Sequence, residues 1–131
     1  MTTHSAFPTW ADGVRMEALT VFVRGLTVAA GIGVHEHEHG RLQTLVIDAD
    51  LELAPNRVER LSDTVNYELV SKAAQGIVEA GHVGLVETFA ERLAVACLVQ
   101  DHVRRVRVRI GKPGALGGTA EPGCEVVLSK G

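Results

Sequence analysis

At 131 residues, the chain is long enough for one domain with a buried core. Its net charge of −3 gives no reason to expect a nucleic-acid or membrane partner, and its 4% aromatic residues offer no platform for stacking bases. No apolar run approaches the roughly 20 residues that span a bilayer, and the N-terminal stretch lacks the pattern of a secretory signal. Cys97 and Cys124 belong to no CxxC pair, which favours two buried or half-buried thiols in a reducing cytoplasm.

The first half of the chain predicts two strands, which follow a loosely held arm over residues 1–17. Residues 19–30 (LTVFVRGLTVAA) are rich in β-branched side chains, and Gly25 within them indicates a bulge. Residues 43–53 (QTLVIDADLEL) alternate between apolar and polar side chains, as a half-buried strand does. The side chains expected to face the core are Leu45, Ile47, Ala49, Leu51 and Leu53, and those expected to face away are Asp48, Asp50 and Glu52.

Two amphipathic helices are predicted next. Residues 60–80 indicate a turn and then a helix, with Ser62 or Asp63 as its N-terminal cap. Its apolar stripe consists of Leu69, Val70, Ala73, Ala74 and Ile77. Residues 85–101 indicate the second helix, whose apolar side chains at helical spacing are Phe89, Leu93, Ala96 and Cys97.

Two further strands complete the predicted fold. Val106, Val108 and Ile110 alternate with arginines, and residues 124–129 (CEVVLS) form a short final strand. The order ββααββ predicts an α+β fold, in which a four-stranded antiparallel sheet carries both helices on one face. The acidic face of the second strand can then pair with the arginines of the third. Subunits joined edge to edge in a ring would cover the bare edges of such a sheet.

The stretch GIGVHEHEHGRLQ, residues 31–43, places three histidines in alternation with two glutamates. In an extended chain the histidines His35, His37 and His39 would share one face, whereas in a helix only His35 and His39 would do so. Either arrangement could bind zinc. A polar loop between two strands explains the same residues without a metal, so the spacing leaves both interpretations open.

Four segments in order along the chain carry a resemblance to a known family. They are VFVRGLTV followed by IGVHEHEHGRLQTLVID, then DTVNYELV (63–70), LVETFAERLA (85–94) and VRVRIGKPGAL (106–116). In sequence and spacing these segments resemble the dihydroneopterin aldolases, which are tunnelling-fold enzymes of folate biosynthesis. The resemblance implies that residues 18–131 form one domain with that fold.

The reaction that the resemblance implies is a retro-aldol cleavage. 7,8-Dihydroneopterin would be converted to 6-hydroxymethyl-7,8-dihydropterin and glycolaldehyde by acid–base catalysis, with no metal and no cofactor. The dihydropterin ring contains a C=N bond beside its side chain, and this bond accepts the electrons of the broken C–C bond. The protein then needs only to orient the ring and to move protons.

The motifs imply three catalytic residues. Lys112 aligns with the family's catalytic lysine, which relays a proton to the substrate hydroxyl through water. Tyr67 aligns with a tyrosine that packs near the pterin and shares in proton transfer, and Glu38 aligns with the glutamate that binds the substrate's side-chain hydroxyls or a bridging water. Taken alone, Lys112 would be interpreted as a surface loop lysine and Tyr67 as a half-buried core aromatic.

Four substrate-binding residues are implied as well. Glu87 aligns with the carboxylate that accepts hydrogen bonds from the 2-amino group and ring N–H of the pterin. Val86 would offer backbone hydrogen bonds to the ring, and Thr64 and Asn66 would support the pocket, Thr64 from a neighbouring subunit. Without the resemblance, Glu87 would be only a favourable charge in the first turn of a helix.

The resemblance also implies a homo-oligomer, a tetrameric ring or an octamer, with sites between subunits and with a small-molecule pterin as the partner. The chain departs from the family pattern in lacking a final arginine and in placing His35 and His37 where aromatic residues are common. Three alternatives follow. They are a dihydroneopterin triphosphate 2′-epimerase, a zinc-dependent pterin lyase built on the loop histidines, and a non-catalytic pterin-binding ring.

Overall fold

The structure, a computed structural model, describes residues 13–131, so most of the predicted arm over residues 1–17 lies outside the described residues. The elements follow the predicted order ββααββ. Their bounds are β1 Leu19–Ala30, β2 Gln43–Leu53, α1 Glu68–Glu79, α2 Val86–Leu98, β3 Val103–Gly111 and β4 Gly123–Ser129. The strands form one antiparallel sheet in the order β1-β2-β3-β4, which leaves β1 and β4 as its edges.

The core lies between one face of the sheet and the two helices, as predicted. All five apolar side chains expected to point inward from β2 are buried. Val70, Ala74 and Ile77 of α1 cover this face together with Phe89 and Leu93 of α2. The strict two-residue alternation of β2 therefore decides which face of the sheet is covered.

The bulge expected at Gly25 is present in β1. The pairing of β1 with β2 shifts between Val23, which lies opposite Ala49, and Leu26, which lies opposite Ile47. The backbone N–H of Gly25 donates to Oδ1 of Asp48 over 2.8 Å. A carboxylate on the charged face of β2 thus binds the amide that the bulge removes from the ladder.

The predicted cap of α1 is wrong. Neither Ser62 nor Asp63 caps the helix, because α1 begins at Glu68, and the Oδ1 of Asn66 accepts from the Glu68 N–H at 3.0 Å. Asp63 instead ends a short 3-10 turn, Leu61–Asp63, and its Oδ2 accepts from the backbone of Glu59 and Arg60 at 3.2 Å each. These two backbone hydrogen bonds lower the pKa of Asp63.

The face of the sheet opposite the helices carries opposed charges, as the sequence predicted. Three acidic residues of β2 lie directly opposite three arginines of β3, in the pairs Asp48–Arg109, Asp50–Arg107 and Glu52–Arg105. Arg24 of β1 forms an ion pair with Asp50, and Arg107 of β3 forms another with Glu125 of β4 at 3.2 Å. The sign of the charged side chains on this face therefore alternates from each strand to the next.

The α-helices of the described chain have 12 and 13 residues, and α2 ends before the predicted residue 101. Within residues 13–131, no helix is long and apolar enough to cross a membrane.

Cys97 is buried, Cys124 is half-buried and both are free thiols, as predicted.

Candidate active site

A buried ion pair joins two of the predicted catalytic residues, Lys112 and Glu38. Lys112 follows the last residue of β3, and Glu38 ends a 3-10 turn, Glu36–Glu38, between β1 and β2. Nζ of Lys112 lies 2.6 Å from Oε2 of Glu38, and the two side chains are only 12% and 9% exposed. The backbone N–H of Lys112 also donates to the carbonyl of Pro122 at 2.8 Å, which fixes the start of the loop after β3.

Glu38 is held as a carboxylate by three donors. Besides Lys112, Nε2 of Gln43 donates to its Oε2 at 3.0 Å, and the backbone N–H of His35 donates to its Oε1 at 3.3 Å. The hydrogen bonds from Gln43 and Lys112 outweigh the effect of burial and lower the pKa of Glu38 from 4.5 to about 2. Glu38 is therefore ionised throughout the neutral range.

Gln43 belongs to the candidate site, and the sequence analysis did not identify it. Its Nε2 donates both to the Glu38 carboxylate and, at 2.7 Å, to the carbonyl of Ile32. The signal was present in the alternation of β2, because Gln43 has the parity of the inward-facing Leu45 and Ile47. A polar side chain on the apolar face at the start of a strand indicates a bound partner.

Gly33 makes room for the carboxylate. Its φ is +128°, a backbone conformation that residues other than glycine rarely adopt. A Cβ at this position would also overlap the carboxylate of Glu38. The chain at Gly33 can therefore pass directly beside the buried charge. No other residue type fits both the backbone and the contact.

The loop that carries Glu38 is also paired with the segment that leads into α2. The N–H of Gly33 donates to the carbonyl of Val83 and the N–H of Val83 donates to the carbonyl of Gly31, each at 3.0 Å. Ile32 and Val83 thus form a short parallel bridge. This bridge brings the Glu38 loop to the N-terminal end of α2, where Val86 and Glu87 lie.

Glu87 lies exposed in the first turn of α2, where the helix dipole favours a negative charge. Burial and then the charge of Glu87 raise the pKa of Cys124, which is the second residue of β4. Glu87 is therefore near the start of β4, next to the end of β3. Glu38, Lys112 and Glu87 lie at the same end of the sheet.

The remaining predicted site residues lie at the opposite end of the sheet in the same chain. They are Thr64, Asn66 and Tyr67. They line an open groove of about 430 Å³ together with Val21 of β1. Val21 lies opposite Leu51, which lies opposite Val106. Lys112 is six residues beyond Val106. At about 3.3 Å per residue, the groove that contains Tyr67 therefore lies roughly 20 Å from Lys112 along the sheet. Tyr67 is 61% exposed here, which differs from the half-buried core aromatic expected of it in isolation.

The loop histidines do not converge on one point. The rings of His35 and His37 stack with centroids 5.6 Å apart, whereas His39 stacks on His82 at 4.0 Å. Among residues 13–131, no three histidine, cysteine, aspartate or glutamate side chains are grouped as a metal site requires. The donor set on which a zinc-dependent pterin lyase would depend is therefore not assembled by this loop.

Known proteins match the chain over most of its length. A family model for dihydroneopterin aldolase matches residues 21–127. A dihydroneopterin aldolase of Streptomyces coelicolor is 37% identical over 98 residues, which are 72% of this chain and 82% of the relative. That of Escherichia coli K12 is 29% identical over 114 residues, covering 85% of this chain and 92% of the relative.

Solved structures of dihydroneopterin aldolases have the same fold as this chain. The E. coli dihydroneopterin aldolase in complex with neopterin superposes with a TM-score of 0.72 at 26% identity, over 84% of this chain and 98% of its own. A Burkholderia dihydroneopterin aldolase bound to guanine gives a TM-score of 0.74 at 28% identity, over 88% and 93%. The sheet and helices thus define the chain as a tunnelling-fold protein.

The chain belongs to the dihydroneopterin aldolase family. It is a lyase of folate biosynthesis, as its sequence motifs predicted, and these matches do not favour the epimerase, the zinc lyase or the non-catalytic ring.

Proposed function

We propose that the chain cleaves the C1′–C2′ bond of 7,8-dihydroneopterin through proton transfer by Lys112, held in place by Glu38. The observation that carries the proposal is the buried ion pair of 2.6 Å between these residues, beside the helix terminus that bears Glu87. The neopterin and guanine bound by the two related structures support a ligand of this class, since both present a 2-amino group next to a ring N–H.

The substrate supplies the electron sink. A base removes the proton of the 2′-hydroxyl, the C1′–C2′ bond breaks, and C2′ and C3′ leave as glycolaldehyde. The bond's electron pair moves into C1′=C6, while N5 of the ring takes a proton. Protonation of C1′ and loss of the proton from N5 then restore the C6=N5 bond and give 6-hydroxymethyl-7,8-dihydropterin. Neither a metal nor a lysine imine is required, and acid–base catalysis is the protein's task.

Glu38 and Lys112 have different parts in this scheme. With its pKa lowered to about 2, Glu38 stays ionised and is not the proton donor at neutral pH. Its carboxylate instead fixes Nζ of Lys112 and keeps acceptor capacity for a substrate hydroxyl or a bridging water. Lys112 has three N–H donors, of which one is bound to Glu38, and it relays protons to the substrate.

The pterin ring binds at the start of α2. The carboxylate of Glu87 accepts hydrogen bonds from the 2-amino group and the adjacent ring N–H, and the backbone of Val86 contacts the ring edge. The exposure of Glu87 leaves it free to take a ligand, and its position in the first helical turn favours the ionised form.

A second copy of the chain completes the site. Tyr67, Thr64 and Asn66 lie roughly 20 Å from Lys112 within one chain, too far to act on the same substrate. The edge strands β1 and β4 run in opposite directions, because all three strand pairs between them are antiparallel, so β4 of one copy can pair antiparallel with β1 of the next. A staggered pairing of this kind, repeated head to tail, closes a ring and brings Tyr67 of one copy towards Lys112 of the next. We place this tetrameric ring or octamer in the cytoplasm, where the free thiols of Cys97 and Cys124 stay reduced.

The direct test is to incubate chelator-treated protein with 7,8-dihydroneopterin and to measure glycolaldehyde and 6-hydroxymethyl-7,8-dihydropterin. We expect stoichiometric release of both. Accumulation of a 2′-epimer of the substrate without glycolaldehyde would contradict the aldolase assignment and favour an epimerase.

Two variants separate catalysis from binding. Lys112→Ala should lower turnover by roughly 10²-fold or more and leave pterin affinity nearly unchanged, because acid–base catalysis has that magnitude. Glu87→Ala should mainly weaken binding. Lys130→Ala is the matched control, since the Nζ of this exposed lysine donates to the backbone carbonyl of Gln100, at the end of the sheet away from Lys112. Unchanged turnover in Lys112→Ala would remove this residue from the mechanism.

A further inference from the structure

His82 lies between the two ends of the loop that carries Glu38. Its Nε2 is 2.7 Å from the carbonyl oxygen of Gly33, at the start of the loop. Because a carbonyl oxygen only accepts, Nε2 carries the proton and donates. His39, at the end of the loop, stacks on the His82 ring with centroids 4.0 Å apart and planes inclined by 21°.

The ring of His82 is also seated on the backbone beneath it. A Cβ added to Gly31 would lie 3.2 Å from Nδ1 of His82, so the imidazole packs against the chain at that point. The next residue, Val83, makes the two backbone hydrogen bonds to Gly31 and Gly33. His82 therefore adds a side-chain bond to a bridge that otherwise consists of backbone alone.

The bridge joins the two parts of the site that one chain supplies. On one side are Gly33 and Glu38, with Lys112 bound to the carboxylate. On the other side, five residues after His82, is Glu87 in the first turn of α2. The distance between the proton-transfer pair and the carboxylate of Glu87 depends on how residues 31–33 are fixed to residues 82–83.

We infer that His82 is a positioning residue. Its hydrogen bond to Gly33 holds the loop of residues 33–39 closed around the Glu38 carboxylate and sets the loop's place relative to α2. This inference rests on the proposed function, since it gives His82 its effect through Lys112 and Glu38. Nothing in the family motifs assigned a role to this histidine, which lies just before the third matched segment.

The test compares two substitutions of His82. His82→Gln keeps an Nε2–H donor at similar reach, whereas His82→Phe keeps a ring that can stack on His39 but removes the donor. We expect His82→Phe to lower kcat about 10-fold with KM within about 2-fold, because a displaced catalytic group costs rate more than binding. His82→Gln should restore most of the loss. His37→Phe is the matched control, because His37 is an exposed histidine of the same loop and its ring stacks on His35.

A second readout does not depend on activity. The amides of Gly33, Glu38 and His39 are hydrogen-bonded within the loop or to Val83. Their hydrogen exchange should be faster in His82→Phe, and close to wild type in His82→Gln, while exchange in β2 stays the same. Should the wild-type protein release no glycolaldehyde, the proposed function would fail while the exchange measurement still tested His82. Unchanged kcat and exchange in His82→Phe, equal losses in both variants, or a rise in KM alone would overturn the inference.

Discussion

At the scale of single residues, the site depends on a charge that is almost fully covered by protein. Glu38 as a whole residue is 6% exposed, and its oxygens accept from Lys112, Gln43 and the His35 amide. A buried carboxylate with fewer donors would be protonated more easily, because burial alone raises its pKa. The donors therefore decide that Glu38 is ionised and that Lys112 has a fixed partner.

The lowered pKa of Glu38 predicts how stability changes with pH. A group whose pKa is lower in the folded than in the unfolded state stabilises the fold above the unfolded value and loses that contribution as pH falls through the folded value. For Glu38 the loss should occur between about pH 4.5 and pH 2. Urea unfolding of the wild type should therefore show a steeper loss of stability over this range than Glu38→Gln does. Parallel curves for the two proteins would show that Glu38 is not ionised below its usual pKa.

Gly33 offers a second residue-scale prediction, for which Gly40 of the same loop is the control. Both have a positive φ, +128° and +77°, but a Cβ on Gly40 meets nothing within 4 Å. Gly40→Ala should cost only the backbone strain, of order 1–3 kcal/mol, and keep its activity. Gly33→Ala should lose activity as well, because its Cβ displaces the Glu38 carboxylate. Steady-state kinetics and urea unfolding measure both effects, and equal activity in the two variants would contradict this explanation.

The sequence motifs suggested Glu38 and Lys112 one by one, but not their contact. The two residues are 74 positions apart, and no local pattern of either segment encodes the other. Gln43 was missed although its parity within β2 marked it as inward-facing. Alternation defines the face on which a side chain lies, but it does not identify the partner that a polar side chain meets there.

At the scale of secondary-structure elements, α2 connects the core to the site. Its inner residues, Phe89 and Leu93 among them, are fully buried, and its first turn carries Glu87. The position of Glu87 relative to Lys112 thus depends on how firmly α2 packs on β3 and β4. The apolar spacing predicted this helix well because one face had to be buried.

Phe89→Ala tests the contribution of α2 to the core. Phe89 has no exposed surface, so its loss should leave a cavity and lower the free energy of unfolding by about 3–5 kcal/mol. Val95→Ala, on the same helix, removes a side chain that is 48% exposed and should cost less than about 1 kcal/mol. Urea unfolding measures both values. Similar costs for the two substitutions would contradict the assignment of Phe89 to the core.

The start of α1 was harder to predict than its apolar face. Val70, Ala74 and Ile77 lie on the buried side as expected. The side chain that accepts from the first amide of the helix belongs to Asn66 and not to Ser62 or Asp63. The segment contains several residues that can cap a helix, and Asp63 satisfies the backbone of the preceding 3-10 turn instead. Residue type alone does not decide between neighbouring caps when a turn also needs one.

At the scale of the whole molecule, the proposed site needs two groups of residues, called half-sites here, which lie at opposite ends of the sheet in one chain. Glu38, Lys112 and Glu87 belong to the first, and Thr64, Asn66 and Tyr67 line the groove of the second. The alternation of the strands predicted the sheet and its charged face, because both depend on local pattern. The separation of the half-sites depends on strand register and on the length of the connections, which a sequence pattern does not reveal.

The proposed function requires a substrate to be cleaved between two copies of the chain, with Lys112 from one copy and Tyr67 from the next. The most direct measurement is the activity of Lys112→Ala and Tyr67→Phe chains expressed together, each of which should be roughly 10²-fold less active alone. Random assembly into a closed ring pairs an intact Lys112 with an intact Tyr67 in about a quarter of the sites, so about a quarter of wild-type activity should return. Lys112→Ala with Glu38→Gln is the control, because both residues belong to one half-site and no complete site can form. A mixture of Lys112→Ala and Tyr67→Phe that stays as inactive as its parts would contradict the shared site.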